Sequence, residues 1–181
     1  NLVTAHRTTI RTGLPQPTWR KLYGGVQPTK SKTAQVTDTT GMLEAYAEVD
    51  KALADLNGNT ASFRLSEDRP HIEGMSQEIA QTIFYGNEGT EPEAFTGLSP
   101  RYNALTTANN SDNVIDGGGS GTDNASVWLA VWGPASGFGI TPKGSKAGLQ
   151  MEDKGQVTIE NVDGAGGRME AYRTHYRWDA G

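Results

Sequence analysis

The sequence predicts an α+β fold in which an extended β-hairpin arm, one long helix and a mixed sheet follow one another along 181 residues. Three observations carry that expectation. Residues 1–37 alternate β-branched and polar side chains around Thr8-Thr9-Ile10-Arg11-Thr12, with too few large apolar residues to own a core. Ile72, Met75, Ile79 and Ile83 recur on one helical stripe, widened by Ala80 and Phe84. Residues 126–132, 155–162 and 168–178 read as strands, separated by turns at 133–148 and 163–167.

Bulk composition fits that outline. A chain of 181 residues suits one domain with a projecting arm. With 35% hydrophobic and 20% charged residues and 23 glycines it is a folded, loop-rich protein. The absence of cysteine excludes disulfide frameworks, thiolate zinc sites and thiol nucleophiles. No apolar run approaches the ~20 residues needed to cross a bilayer, so no membrane partner is expected. The start at Asn1 without methionine is read as a processed, cut or incomplete end, and the stop behind a strand-like run at Gly181 as a cut.

Charge is the most telling feature. The net charge is −5, yet Arg7, Arg11, Arg20, Lys21, Lys30 and Lys32 precede the first carboxylate, Asp38. Of 16 basic and 21 acidic residues, six basic and no acidic ones fall in residues 1–37, which leaves ten basic against all 21 acidic ones in the rest. One end of the molecule attracts the other end of a neighbouring copy.

Taken in order, the basic segment alternates around Thr8 to Thr12, is broken by Pro15 and Pro17, resumed by Trp19 to Tyr23 and punctuated again at Gly24-Gly25 and Pro28. Trp19, Leu22 and Tyr23 are expected to anchor it on another surface, since a free tail would leave them bare in water. Residues 41–56 read as a strand running into a short helix that stops at Asn57-Gly58-Asn59. The long helix is expected over about 68–86, capped by Asp68, with Pro70 in its first turn and Gly86 at its end, roughly 25 Å in all. Residues 87–105 form an irregular connection expected to pack on that helix through Phe95, Leu98 and Tyr102, and residues 109–124 an exposed loop.

Residues that chemistry would need do not converge. Gly139 and Gly144 have the separation of a phosphate loop, but Ser145-Lys146 stands in reversed order and Pro142 removes a backbone donor, so nucleotide binding is rejected. Lys143 and Lys146 are read as a solvated or intersubunit positive patch. Gly118 to Asp123 matches one copy of a calcium-binding repeat that works only when stacked; Asp112, Asp116 and Asp123 offer at most weak calcium binding. His6, His71 and His175 lie far apart, the serine elbow G-x-S-x-G is missing, and pairs such as Glu44/Glu48 or Glu152/Asp153 belong to any acidic surface. The sequons at Asn109 and Asn124 carry no weight in an asparagine-rich loop. No catalytic residue, cofactor or metal is assigned, and the protein is not read as an enzyme.

The stretches "HRTTIRTGLPQPTWRKLYGGVQPTKSKTAQV", "GMLEAYAEVDKALADLNGNTASFRLSE", "QTIFYGNEGTEPEAFTGLSPRYN" and "VWGPASGFGITPKGSKAGL" cover more than half of the chain. Their arrangement resembles a major capsid protein of tailed bacteriophages, of the kind built on the Hong Kong 97 shell fold. The resemblance implies a self-assembling structural subunit of an icosahedral shell. Residues 1–40 would be an arm reaching over a neighbour, 41–110 a peripheral domain holding the spine helix, and 111–181 part of an axial domain meeting its copies in pentamers and hexamers. Family members carry further segments at both ends. The implied partners are other copies of the chain, scaffold, decoration and portal proteins, and DNA enclosed without sequence-specific contact, with assembly in the host bacterial cytoplasm and residence in the virion. Arg7, Arg11, Trp19, Arg20, Lys21, Leu22, Tyr23, Lys30, Lys32, Lys143 and Lys146 are the expected interface residues. Two rivals remain: a β-rich adhesin or carbohydrate-binding module using Trp128, Trp132 and calcium, and a hydrolase with a carboxylate pair.

Overall fold

The computed structural model describes residues 5–56, 58–108, 110–119, 121, 125–134 and 136–181. Strands β1 (Ala5–Gly13) and β2 (Lys32–Thr39) form a two-stranded antiparallel sheet. Strand β3 (Gly41–Asp50) leads into α1 (Lys51–Leu56) and α2 (Thr60–Tyr85), and a connection carrying α3 (Leu98–Arg101) follows. Strands β4 (Leu149–Glu160) and β5 (Arg168–Ala180) complete a second antiparallel sheet in the order β3-β5-β4.

That second sheet and α2 make the body. In β3, Leu43, Ala45, Ala47 and Val49 alternate with the exposed Met42, Glu44, Tyr46 and Glu48, as period-two geometry requires of a strand covered on one face. Leu43 pairs with Trp178, Ala45 with Tyr176 and Ala47 with Thr174. Ala47, Tyr176 and Met75 of α2 are the buried centre, surrounded by Leu43, Ala45, Ile72, Leu149 and Trp178. The small Ala45 and Ala47 leave room for the Tyr176 ring, which stacks on His71 of the helix at 6.4 Å between ring centres.

The helix starts earlier than the expected 68–86. Asn59 is its cap, with a side-chain oxygen accepting from the Ser62 N–H at 3.3 Å, so Pro70 lies inside the helix and Asp68 is a buried interior residue rather than a cap. A proline there forfeits one backbone hydrogen bond and crowds the preceding turn. Tertiary contacts hold the turns upstream of it. Arg64 forks onto Asp153 of β4 with two bonds of 3.0 and 2.6 Å and lies 4.9 Å from the centre of the Tyr172 ring.

One other expectation is corrected. Residues 126–132 are not a strand: only an isolated bridge, Trp132 to Gly137, is formed there. In that run Trp128 sits against Phe84 of α2, while Val127 and Leu129 are each 96% exposed. Strand pairing joins distant parts of the chain, since β5 from its last third is hydrogen-bonded to β3. Residues 149–180 therefore pack with 41–85 in one unit.

Candidate assembly surface

The arm leaves the body as a ladder and ends as a loop. Pairing runs from Ala5 opposite Thr39 to Arg11 opposite Thr33, then slips between Arg11 and Gly13. Pro15, Pro17 and Pro28 lack the N–H groups a ladder needs, and residues 14–31 contain no strand. The expected resumption of strand at Trp19 to Tyr23 is replaced by a turn closed by the Gly24 N–H donating to the Lys21 carbonyl at 3.1 Å. Tyr23 takes φ 61° in that turn, a left-handed conformation uncommon for a bulky residue and one that turns sites of contact often hold. Neither β1 nor β2 packs substantially on any other helix or strand.

The tip carries apolar side chains that nothing in this chain covers. Trp19 is 99% exposed, and Leu14, Leu22, Tyr23 and Val26 are exposed with it. Arg7, Arg11, Arg20, Lys21, Lys30 and Lys32 are exposed too. Among the described residues none of these six cations has a carboxylate partner, and Arg7 alone has a side-chain contact, donating to the Thr37 hydroxyl at 3.3 Å.

The body treats its cations differently. Lys51, Arg64, Arg101, Lys154, Arg168, Arg173 and Arg177 each pair with an acid of the same chain. Arg69, Lys143 and Lys146 are the body cations left over among the described residues. On α2 and the connection after it, Glu67, Glu73, Glu78, Glu91 and Glu93 are exposed, which leaves an acidic surface on the body.

The glycine-rich loop that carries Lys143 and Lys146 opens a strand, β4, and not the helix a phosphate cradle requires. Its job here is a turn: Ser145 N–H donates to the Pro142 carbonyl, with Gly144 at φ 95°. The loop is fastened to the end of β5 by paired backbone bonds between Ile140 and Gly181 and by the Ser145 hydroxyl donating to Asp179. Burial pushes the Asp179 carboxyl up, but the hydrogen bonds from Arg177 and Ser145 outweigh it and hold it below the ordinary range. Because Ala180 pairs with Gly41, the two lysines lie at the end of the sheet from which the arm departs.

The other candidate chemistry stays dispersed. Asp112 and Asp116 are exposed, Asp116 caps the Gly118 N–H at 2.8 Å, and Asp123 and both sequon asparagines lie outside the described residues. Among the described residues no three acids or histidines converge on a metal position. No described helix is long and apolar enough to cross a membrane. Trp132 lines an open apolar hollow of about 600 Å³ with Pro134 and Phe138, whereas Trp128 packs inward on Phe84, so the two rings do not form a shared sugar platform.

The model of one protein family, major capsid protein GP7, matches residues 1–181. The chain belongs to that family. A solved chain in the near-atomic cryo-EM structure of bacteriophage epsilon15 is 41% identical, with a TM-score of 0.64; the match covers 100% of this chain and 54% of that one. The chain thus spans about half the length of that phage protein. No curated protein matches. Membership of a major capsid protein family makes this a phage structural component and leaves the adhesin reading without support.

Sequence reasoning missed the arm's root. Asp38 pairs with Arg101 at 2.6 Å and the Thr39 hydroxyl donates to Glu88 at 2.6 Å. No local signal points to contacts between residues so far apart in the chain.

Proposed function

We propose that this chain builds an icosahedral phage shell of the Hong Kong 97 type by laying its arm on a neighbouring copy. The observation that carries the reading is the arm, whose tip exposes aromatic and aliphatic side chains and whose six cations have no carboxylate partner among the described residues. A body with an excess of acids and most of its own cations neutralised is the complementary surface. The charge pair orients the encounter and rejects wrong registers. Burial of Trp19, Leu22 and Tyr23 supplies the contact energy, at about 1.5–3 kcal/mol for each fully buried side chain. Symmetry then multiplies modest contacts into a stable shell.

Pentamers and hexamers, enclosed DNA, scaffold, decoration and portal proteins, and assembly in the host cytoplasm belong to the same proposal. Lys143 and Lys146 add a second positive patch near the arm's root. The test is triple charge reversal, Arg7→Glu, Arg11→Glu and Lys21→Glu, in the full-length protein. The subunit keeps its circular dichroism and melting curve, and negative-stain microscopy finds no shells. Normal particles from that variant defeat the proposal.

A further inference from the structure

A lever as long as this arm is only as well aimed as its root. Strand β2 ends at Thr39 and β3 begins at Gly41, so one residue, Thr40, joins arm to body. Eight residues of β2 span roughly 26 Å, so a 15° swing about the root shifts the far end by roughly 7 Å. Contact pockets are ruined by far less.

Two grips hold that root. On the first, Arg101 donates from Nε and Nη2 to the Thr96 carbonyl at 3.2 and 3.0 Å, and its own carbonyl accepts from Asn110 Nδ2 at 2.5 Å. The guanidinium is therefore fixed by the connection before its remaining Nη1 reaches the Asp38 carboxylate at 2.6 Å. Both partners are half-buried, with side-chain exposures of 35% and 25%, so water competes less for them than for an open surface pair. The Thr39 to Glu88 bond adds a second tie to the same connection, and Gly41 has no room for a side chain, since a Cβ would lie 2.8 Å from the Glu93 carbonyl oxygen. On the second grip, His6, which pairs across the hairpin with Asp38, sets its ring edge-on to Phe138 at 6.1 Å and 79°. The connection itself cannot drift, because Gly86 and Gly97 press backbone to backbone at the end of α2, with the Gly97 N–H donating to the Gly86 carbonyl at 2.8 Å.

We infer that Arg101 is a positioning residue for assembly: held by Thr96, it fixes through Asp38 the direction in which the arm leaves the body. The inference rests on the reading of the arm as the limb that grips a second copy. Arg101 itself touches no neighbour in this account; it acts through Asp38.

Because residues 1–181 contain no cysteine, a spin-label pair can be placed at Thr33→Cys on the arm and Gln81→Cys on α2 of the full-length protein, with any cysteine outside those residues changed to serine. Pulsed dipolar spectroscopy on the unassembled subunit gives one narrow distance in the parent. Arg101→Ala broadens it at least twofold, and Asp38→Asn, which leaves Arg101 bound to Thr96, broadens it alike. Shell yield falls at least tenfold in both variants while the melting curve stays, and Arg101→Lys recovers part of both readouts. An unchanged narrow distance in Arg101→Ala and Asp38→Asn overturns the inference, and so do normal shells from subunits whose arms have broadened. Failure of the arm-grip reading looks different: shells form normally from the charge-reversed arm, whatever the spin labels report.

Discussion

The arm and the body solve opposite problems with the same residue types. In the body an aromatic such as Tyr176 is fully buried, whereas on the arm Trp19 is 99% exposed. Body arginines face carboxylates of their own chain, as Arg64 faces Asp153 and Arg173 faces Glu48, whereas arm cations have none among the described residues. The body owns a core and pairs most of its cations; the arm does neither. Substitutions in the two regions should therefore separate folding from assembly.

The largest expected effect on folding comes from Tyr176→Ala. It removes the ring at the centre of the core and should cost about 3–5 kcal/mol, read as a fall in the urea midpoint. Trp19→Ala is its counterpart: stability stays within about 0.5 kcal/mol, while shell yield collapses because the anchor is lost. Equal loss of stability in both variants would break the comparison between arm and body.

Alkaline pH sharpens the same contrast. Burial, with the nearby Asp68 carboxylate second, pushes the Tyr176 phenol from 10.0 up to about 12. The folded state then holds its proton where the unfolded state has released it. This contribution is complete below pH 10 and is lost as pH rises toward about 12. Tyr176→Phe should flatten the stability curve in that window, while Tyr23→Phe on the arm leaves it alone.

Arg64→Ala comes next, with a loss of about 1 kcal/mol, since the fork to Asp153 is partly solvated. Its effect should show as earlier fraying of the first turns of α2 in hydrogen exchange. Smallest is Ser145→Ala, which takes one hydrogen bond from the buried Asp179 and should cost about 1 kcal/mol or less. It loosens the loop bearing Lys143 and Lys146 without touching the core, so protease sensitivity at that loop is the readout.

Much of the fold is legible locally. The alternation in 41–50 and 168–180 announces strands with one covered face, and the switch of period at Lys51 announces α1. What defeats a local reading is tertiary compensation. Pro70 looks like a helix start because its cost is normally too high for an interior position, and the Arg64 to Asp153 fork that ties the upstream turns to β4 has no local signal. Residues 126–132 are as apolar as a strand, yet apolar composition reports no hydrogen-bonded neighbour, and there only an isolated bridge forms. On the candidate surface, the arm's cations and aromatics are visible from composition alone. Its root at Asp38, Glu88 and Arg101 is not, because those contacts depend on how the connection folds back over the end of α2.

An arm that grips a neighbour must have its tip covered by another copy in the shell. Oxidative footprinting of Trp19, followed by mass spectrometry of free full-length subunits and of purified shells, measures this directly. Assembly should protect Trp19 at least fivefold while the labelling of Leu56 on the body barely changes. Equal labelling of Trp19 in subunits and shells would contradict the account.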